Sequence, residues 1–235
     1  MLELSEVVKH YRVGEAEPVR AVDGVTLSVK RGELIALYGP SGSGKTTLLL
    51  LMAALLRPDA GSLKLDGREI AALSEQEASR YRLSEMGFVR QTLNLIPGVS
   101  AVDNAALKLL GMDVRAREAR ARVTPLMDRL GLDQRLRHRS EQLSMGERQR
   151  VMIARALSTD PKLVLADEPT GSLDSRRGRE VLELLTGICR ERELAVVLVT
   201  HDPQAAAYAD RVHTLRDGRL VDYEPDALLA EADVG

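Results

Sequence analysis

The sequence predicts an α/β domain built around a mainly parallel sheet, and three observations lead there. The stretches "ELIALYG", "KLVLADEP" and "LAVVLVTHD" are near-continuous apolar runs of strand length, as expected for strands buried on both faces. An amphipathic stretch, "RRGREVLELLTGICRER", separates the last two, giving the strand–helix–strand alternation of a parallel sheet. A helical, Arg-rich region from roughly Ala101 to Leu157 interrupts that alternation and reads as an insertion.

The elements follow in order. The first thirty-odd residues alternate in strand fashion, broken at Gly14, Gly24 and Gly32. A helix is expected from about Lys45 along the apolar run "TTLLLLMAALL". In "SLKLDGREI" the Asp66-Gly67 pair marks a hairpin turn. Residues Ser74 to Arg82 read as helix and "MGFVRQ" as a short buried strand. The helical region then runs through "VDNAALKLLGM", "VRAREARARVTPLMDRLGL" and "GERQRVMIARAL". Between Met112 and Arg150 it holds ten Arg against six Asp plus Glu, read as a solvated face with its counter-charges. "RVHTLRDGRLV" closes as a strand pair around Asp217-Gly218, and the last dozen residues read as a tail. The expected division is a core of about residues 1–91 and 158–235, with a helical subdomain of about 92–157.

The totals narrow the function classes. At 235 residues the chain has ample material for a core. A net charge of −2 and 3% aromatic residues offer neither a basic patch nor a stacking platform, so no nucleic-acid partner is expected. The single cysteine, Cys189, cannot form an internal disulfide. No secretory signal is evident in "MLELSEVVKHYRV". The most apolar run, Thr46 to Leu56, is eleven residues, short of the roughly 20 that span a bilayer. The expectation is a soluble chain whose membrane role comes through a partner.

The chemistry begins at "ELIALYGPSGSGKTT", a strand, a glycine-rich loop and a helix start with the P-loop spacing. Residues Gly39, Pro40, Ser41, Gly42, Ser43, Gly44, Lys45, Thr46 and Thr47 would cradle phosphates. Backbone N–H groups point inward there, Lys45 adds a point charge, and the Thr46 hydroxyl ligates magnesium. Asp167 and Glu168 close the apolar strand "LVLAD", at the sheet edge where open α/β folds bind ligands. Asp167 suits a hold on magnesium and Glu168 suits polarising a water. His201 ends another apolar strand and emerges at the same edge; Gln91 ends "GFVRQ" and reaches toward magnesium or the water. Tyr11 has two readings, a stack on adenine or packing on the strand face. A second helix start, Ser144 and Gly146 in "LSMGERQR", has the grammar of an anion site yet no evident ligand of its own.

Taken together these motifs resemble the ATP-binding subunit of an ATP-binding-cassette (ABC) transporter, along nearly the whole chain. They stand in the family's order: P-loop, Gln91, "LSMGERQR", "LVLADEPTGSLD" and His201. The resemblance implies a P-loop NTPase (RecA-like) core with an N-terminal antiparallel β subdomain and an inserted α-helical subdomain. It implies ATP and Mg2+ as ligands, with the metal held by Thr46, Gln91 and Asp167. It also implies a second cassette paired head-to-tail, so that Ser144, Gly146, Glu147 and Asp174 of one copy serve ATP on the P-loop of the other. Glu168 would be the general base and His201 would steady the transferred phosphate.

Met145 departs from the family's commonest residue, glycine, and is expected to turn away from the nucleotide. Arg90 stands where relatives often carry an aromatic or glutamine. The pattern "GFVRQTLNLIPGVSAVDNAAL" with "ADEPTGSLD" is most similar to the lipoprotein-release and macrolide-export branch, which includes a cell-division ATPase. That implies a place on the cytoplasmic face of the cell membrane, beside an integral-membrane permease. A short permease helix would dock near Gln91 and the helical insertion. An importer cassette, or a soluble ABC ATPase of translation or DNA maintenance, is the alternative.

Overall fold

The computed structural model describes residues 1–12, 18–171 and 173–221. The break expected at Gly14 and the C-terminal tail lie outside the described residues. Strands β1 (Leu2–Tyr11), β2 (Val19–Val29), β4 (Ala60–Leu65) and β5 (Arg68–Glu69) form an antiparallel sheet in the order β2-β1-β4-β5. The β4–β5 hairpin turns at Asp66 and Gly67, whose φ values of 49° and 78° are those of the tight turn the Asp-Gly pair predicts.

The second sheet holds β3 (Leu34–Tyr38), β6 (Met86–Val89), β7 (Leu163–Asp167), β8 (Ala195–Thr200), β9 (Arg211–Arg216) and β10 (Arg219–Val221). Its order is β10-β9-β3-β8-β7-β6, and every pair is parallel except β10 with β9. Alternation along the strands divides the core. Leu34, Val164, Val196 and Leu198 face one layer, while Ile35, Leu37, Leu163, Leu165, Val197 and Val199 face the other.

On the second face lie α1 (Lys45–Met52), α2 (Glu75–Ser84) and the inner side of the antiparallel sheet. On the first lie α3 (Ala101–Leu110), α4 (Ala116–Arg129), α5 (Met145–Leu157) and α6 (Ser175–Glu191). The apolar side chains of α3, α4 and α5 share one continuous core with the sheet and with Val181, Leu185 and Ile188 of α6. A short helix, α7 (Pro203–Ala206), follows β8 and starts on the Asp202 side chain.

One expectation needs correction. The apolar run from Thr46 to Leu56 does not form one helix, because α1 stops at Met52. Ala54 takes a left-handed φ of 49°, and the Leu55 N–H returns to the Leu50 carbonyl at 2.9 Å. Closing the helix this way turns the chain toward β4 and leaves Leu55 half exposed. Hydrophobicity marks what is buried, whereas the turn marks where the helix ends.

Candidate nucleotide site

Parallel register brings three sequence-distant ends to one edge. Tyr38, just before the P-loop, pairs with Thr200, and Val199 pairs with Asp167. The P-loop, His201 and the Asp167–Glu168 pair therefore surround the C-terminal end of the central strand β8. A cleft of about 1020 Å3 opens there. Its lining includes Pro40, Ser41, Gly42, Gly44, Lys45, Thr46, Thr47, Gln91, Asp167, Glu168 and His201. Tyr11 also lines it, 36% exposed, with Lys9 Nζ 5.9 Å from the centre of its ring.

Two P-loop glycines are required by close approach. A Cβ on Gly44 would stand 1.9 Å from the Ala21 carbonyl oxygen, and one on Gly39 would stand 2.3 Å from that of Leu215. The φ of Gly44, 104°, is also one that L side chains rarely adopt. Gly44 then leads into α1 with no side-chain cap, so the first N–H groups of that helix remain directed at the cleft.

Lys45 is folded back on the loop. Its Nζ donates to the Gly39 carbonyl at 2.6 Å and the Pro40 carbonyl at 2.7 Å. Burial pulls its ammonium below the usual lysine range, and the Glu168 and Asp167 charges act against that. Burial, then the charge of Glu168, raises the Asp167 carboxyl above its ordinary range, with Arg90 and Lys45 opposing. Arg90 thus acts electrostatically on the site, a role its residue type did not announce.

Glu168 takes a left-handed φ of 47°, unusual for a residue with a Cβ, and its N–H donates to the Val199 carbonyl at 2.9 Å. Its Oε1 lies 2.5 Å from His201 Nδ1, a pair 33 residues apart in sequence. Gln91 approaches the same corner, since a Cβ on Gly171 would meet Gln91 Nε2 at 3.1 Å and Glu168 Oε2 at 3.4 Å. The sequence pointed to no cleft role for Val19, Arg20, Ala21 or Asp217, which also line it. They come from strand edges and a hairpin tip, and no motif spacing links them to the P-loop.

The "LSMGERQR" stretch does not reach this cleft: Ser144, Gly146, Glu147 and Asp174 are absent from its lining. Ser144 caps α5, accepting from the Glu147 N–H at 3.3 Å, while Glu147 Oε2 accepts from the Ser144 N–H at 2.8 Å. Glu147 Oε1 also accepts from Arg135 Nε at 2.7 Å. Met145, the first helical residue, is 45% exposed. Gly146 is buried, and a Cβ there would lie 3.5 Å from Arg177 Cδ. Asp174 caps α6 through the Arg177 N–H at 3.0 Å.

Comparison with known proteins decides the family. The ABC transporter family profile matches residues 22–171. This chain belongs to the ABC transporter family. It is 48% identical over 206 residues to the lipoprotein-releasing system ATP-binding protein LolD 2 of Caulobacter vibrioides, covering 88% of this chain and 90% of that one. It is 41% identical over 222 residues to the macrolide export ATP-binding/permease protein MacB of Chlorobaculum tepidum, covering 94% of this chain but only 34% of MacB. The chain thus spans about a third of the length of that relative. The fold matches the ATP-binding cassette MJ0796, solved as a dimer in a post-hydrolysis state bound to ADP and Pi. The TM-score is 0.86 and the identity 37%, with 95% of this chain and 98% of that one covered. The RecA-like P-loop fold expected from the sequence is therefore the fold found, and the cassette is an ATPase that powers a membrane transporter. Among the described residues no helix is long and apolar enough to cross a membrane.

Proposed function

We propose that the cassette belongs to the lipoprotein-release and macrolide-export branch, and that two cassettes close head-to-tail on ATP to drive an integral-membrane permease. The work done is export or mechanical work outside the membrane, and the cassette sits peripherally on the cytoplasmic face. The partner cassette is a second copy or a close relative. One observation carries this reading: the cleft holds Lys45, Asp167, Glu168 and His201, while the Ser144 helix start lies outside its lining.

Each residue then has a part. The P-loop N–H groups and Lys45 bind the phosphates, with Lys45 exchanging its loop carbonyls for phosphate oxygens. Tyr11 offers its ring face to adenine. The partner's nucleotide meets Ser144 and the N–H groups at the start of α5, including that of Gly146, and Asp174 lies along the seam. Glu147 serves by holding Ser144 in place, because its carboxylate is already occupied by the Ser144 N–H and Arg135. Glu168 accepts the proton of the attacking water and His201, bonded to it, steadies both the carboxylate and the transferred phosphate.

Thr46, Gln91 and Asp167 fit a magnesium ion. The described residues hold no cluster of three or more His, Cys, Asp or Glu, and magnesium is ordinarily held by one or two carboxylates together with substrate phosphates. Asp167 lies half-buried beside Glu168, and burial, then that neighbouring charge, raises its carboxyl above the ordinary range. When bound, the metal neutralises charge on the phosphate oxygens. Glu168→Gln tests the whole scheme, since it keeps the hydrogen-bonding shape and removes the base. It is expected to sediment as a dimer with ATP and magnesium and as a monomer without. Only monomer at saturating ATP and magnesium would overturn the head-to-tail reading.

A further inference from the structure

Arg90 follows the last residue of β6 and is exposed, and among the described residues it forms no ion pair or hydrogen bond. The sheet nonetheless fixes its place. β6 and β7 run parallel with Phe88 opposite Leu165 and Val89 opposite Ala166, so continuing that register sets Arg90 opposite Asp167. Alternation puts the two on one face, because Met86 and Phe88 of β6 and Leu163 and Leu165 of β7 pack into the layer that holds α1. α1 begins in that layer with Lys45 and Thr46, both of which line the cleft. Neighbouring strands stand about 4.8 Å apart, so the Arg90 charge is within Coulomb reach of the Asp167 carboxylate.

Two cations act on that carboxylate. Burial, then Glu168, pushes it up, and Arg90, then Lys45, acts against them. Lys45 is explained by the P-loop, which places it for phosphate. Arg90 is not, since it is absent from the lining of the cleft while Gln91 beside it is present. A solvated arginine at the end of an edge strand would explain its exposure, but not its charge acting on the acid assigned to magnesium. A guanidinium is not deprotonated in proteins, so a permanent positive charge stands beside the place of a dication. Its effect then has opposite signs for the two ligands. It attracts the polyanionic nucleotide and repels the metal.

We propose that Arg90 sets the magnesium dependence of nucleotide binding in this cassette: its charge partly stands in for the metal when nucleotide binds alone, and opposes the metal entering beside Asp167. Arg90 acts through the field at Asp167 rather than by touching the nucleotide, which makes it a positioning residue. The proposal rests on the reading that Asp167 holds magnesium, and adds what tunes that hold.

The test measures ADP affinity by calorimetric titration, once in EDTA and once in excess magnesium; ADP is not turned over, so the parent cassette can be used. Arg90→Gln removes the charge, Arg90→Lys keeps it, and Arg115→Gln removes an exposed charge ahead of α4, outside the lining of the cleft. Arg90→Gln is expected to bind ADP about three- to tenfold more weakly in EDTA, with affinity in magnesium unchanged or higher. Its magnesium concentration for half-maximal ATPase should fall by a similar factor. Arg90→Lys and Arg115→Gln should match the parent within twofold, and about 0.5 M KCl should shrink the Arg90→Gln difference. Equal weakening in EDTA and in magnesium overturns the proposal in favour of a structural arginine, and no change in either overturns it in favour of a solvated one. Arg90→Lys failing alongside Arg90→Gln overturns it too, as does Arg115→Gln reproducing the effect. A parent cassette whose ADP affinity ignores magnesium, or Asp167→Asn that leaves the magnesium dependence intact, brings down the proposed metal site itself, a distinct result.

Discussion

Glu147 offers a way to separate positioning from contact. Glu147→Ala removes the acceptor of two hydrogen bonds, from the Ser144 N–H at 2.8 Å and Arg135 Nε at 2.7 Å. The lost cap costs about 1 kcal/mol and the partly exposed ion pair about 0.2–1 kcal/mol, so together about 1–2 kcal/mol. For a chain of this size that is a fall in Tm of about 2–8 °C by calorimetry. Glutamine still reaches back to the N-cap N–H, so Glu147→Gln should lose only the Arg135 attraction, about 1 kcal/mol or less.

The ATPase rates should follow the same order. Alanine loosens Ser144 and lowers turnover at least tenfold, while glutamine restores turnover to within about threefold. Should Glu147→Gln melt like the parent yet be as inactive as alanine, the carboxylate touches the partner's ATP directly and positioning is refuted. A Tm for Glu147→Ala within 1 °C of the parent would refute the capping argument as well. The pH dependence has a definite sign. Burial raises the Glu147 carboxyl, but the Ser144 amide and Arg135 outweigh it and hold the group below its ordinary 4.5. Its stabilisation is therefore present above 4.5 and lost as pH falls through the depressed folded value, so parent and Glu147→Gln should converge in acid.

Two further outcomes follow from the same geometry. Gly44→Ala forces a Cβ to within 1.9 Å of the Ala21 carbonyl at a φ of 104°. It should cost about 2–4 kcal/mol and abolish ATP binding, measured by calorimetric titration; normal affinity would show that the loop relaxes freely. Met145→Gly removes a side chain that is 45% exposed, so the melting temperature should fall little and permease-stimulated ATPase should stay within twofold. A tenfold gain would instead make Met145 a brake on the trans site.

The strands, the P-loop and the acid pair were legible in the sequence because each is set by neighbours in the chain. A strand buried on both faces must be apolar throughout. A loop whose N–H groups face a phosphate must lack side chains at fixed spacing, and the Asp66-Gly67 turn needs only its own two φ angles. The end of α1 was not legible, because apolar residues continue past the turn at Ala54. The tie of Glu147 to Arg135 was not legible either, because it spans twelve residues, whereas the Ser144–Glu147 box is local.

By itself the sequence determined the family, the parallel sheet and the phosphate loop, since local spacing and periodicity carry that information. Only the tertiary structure decided that His201 bonds Glu168 across 33 residues and that the Ser144 helix start stands outside its own chain's cleft. The physical reason is the same in each case. Side-chain chemistry at a site depends on distance in space and on the dielectric around it, and both are fixed by how the layers pack rather than by the order of residues along the chain.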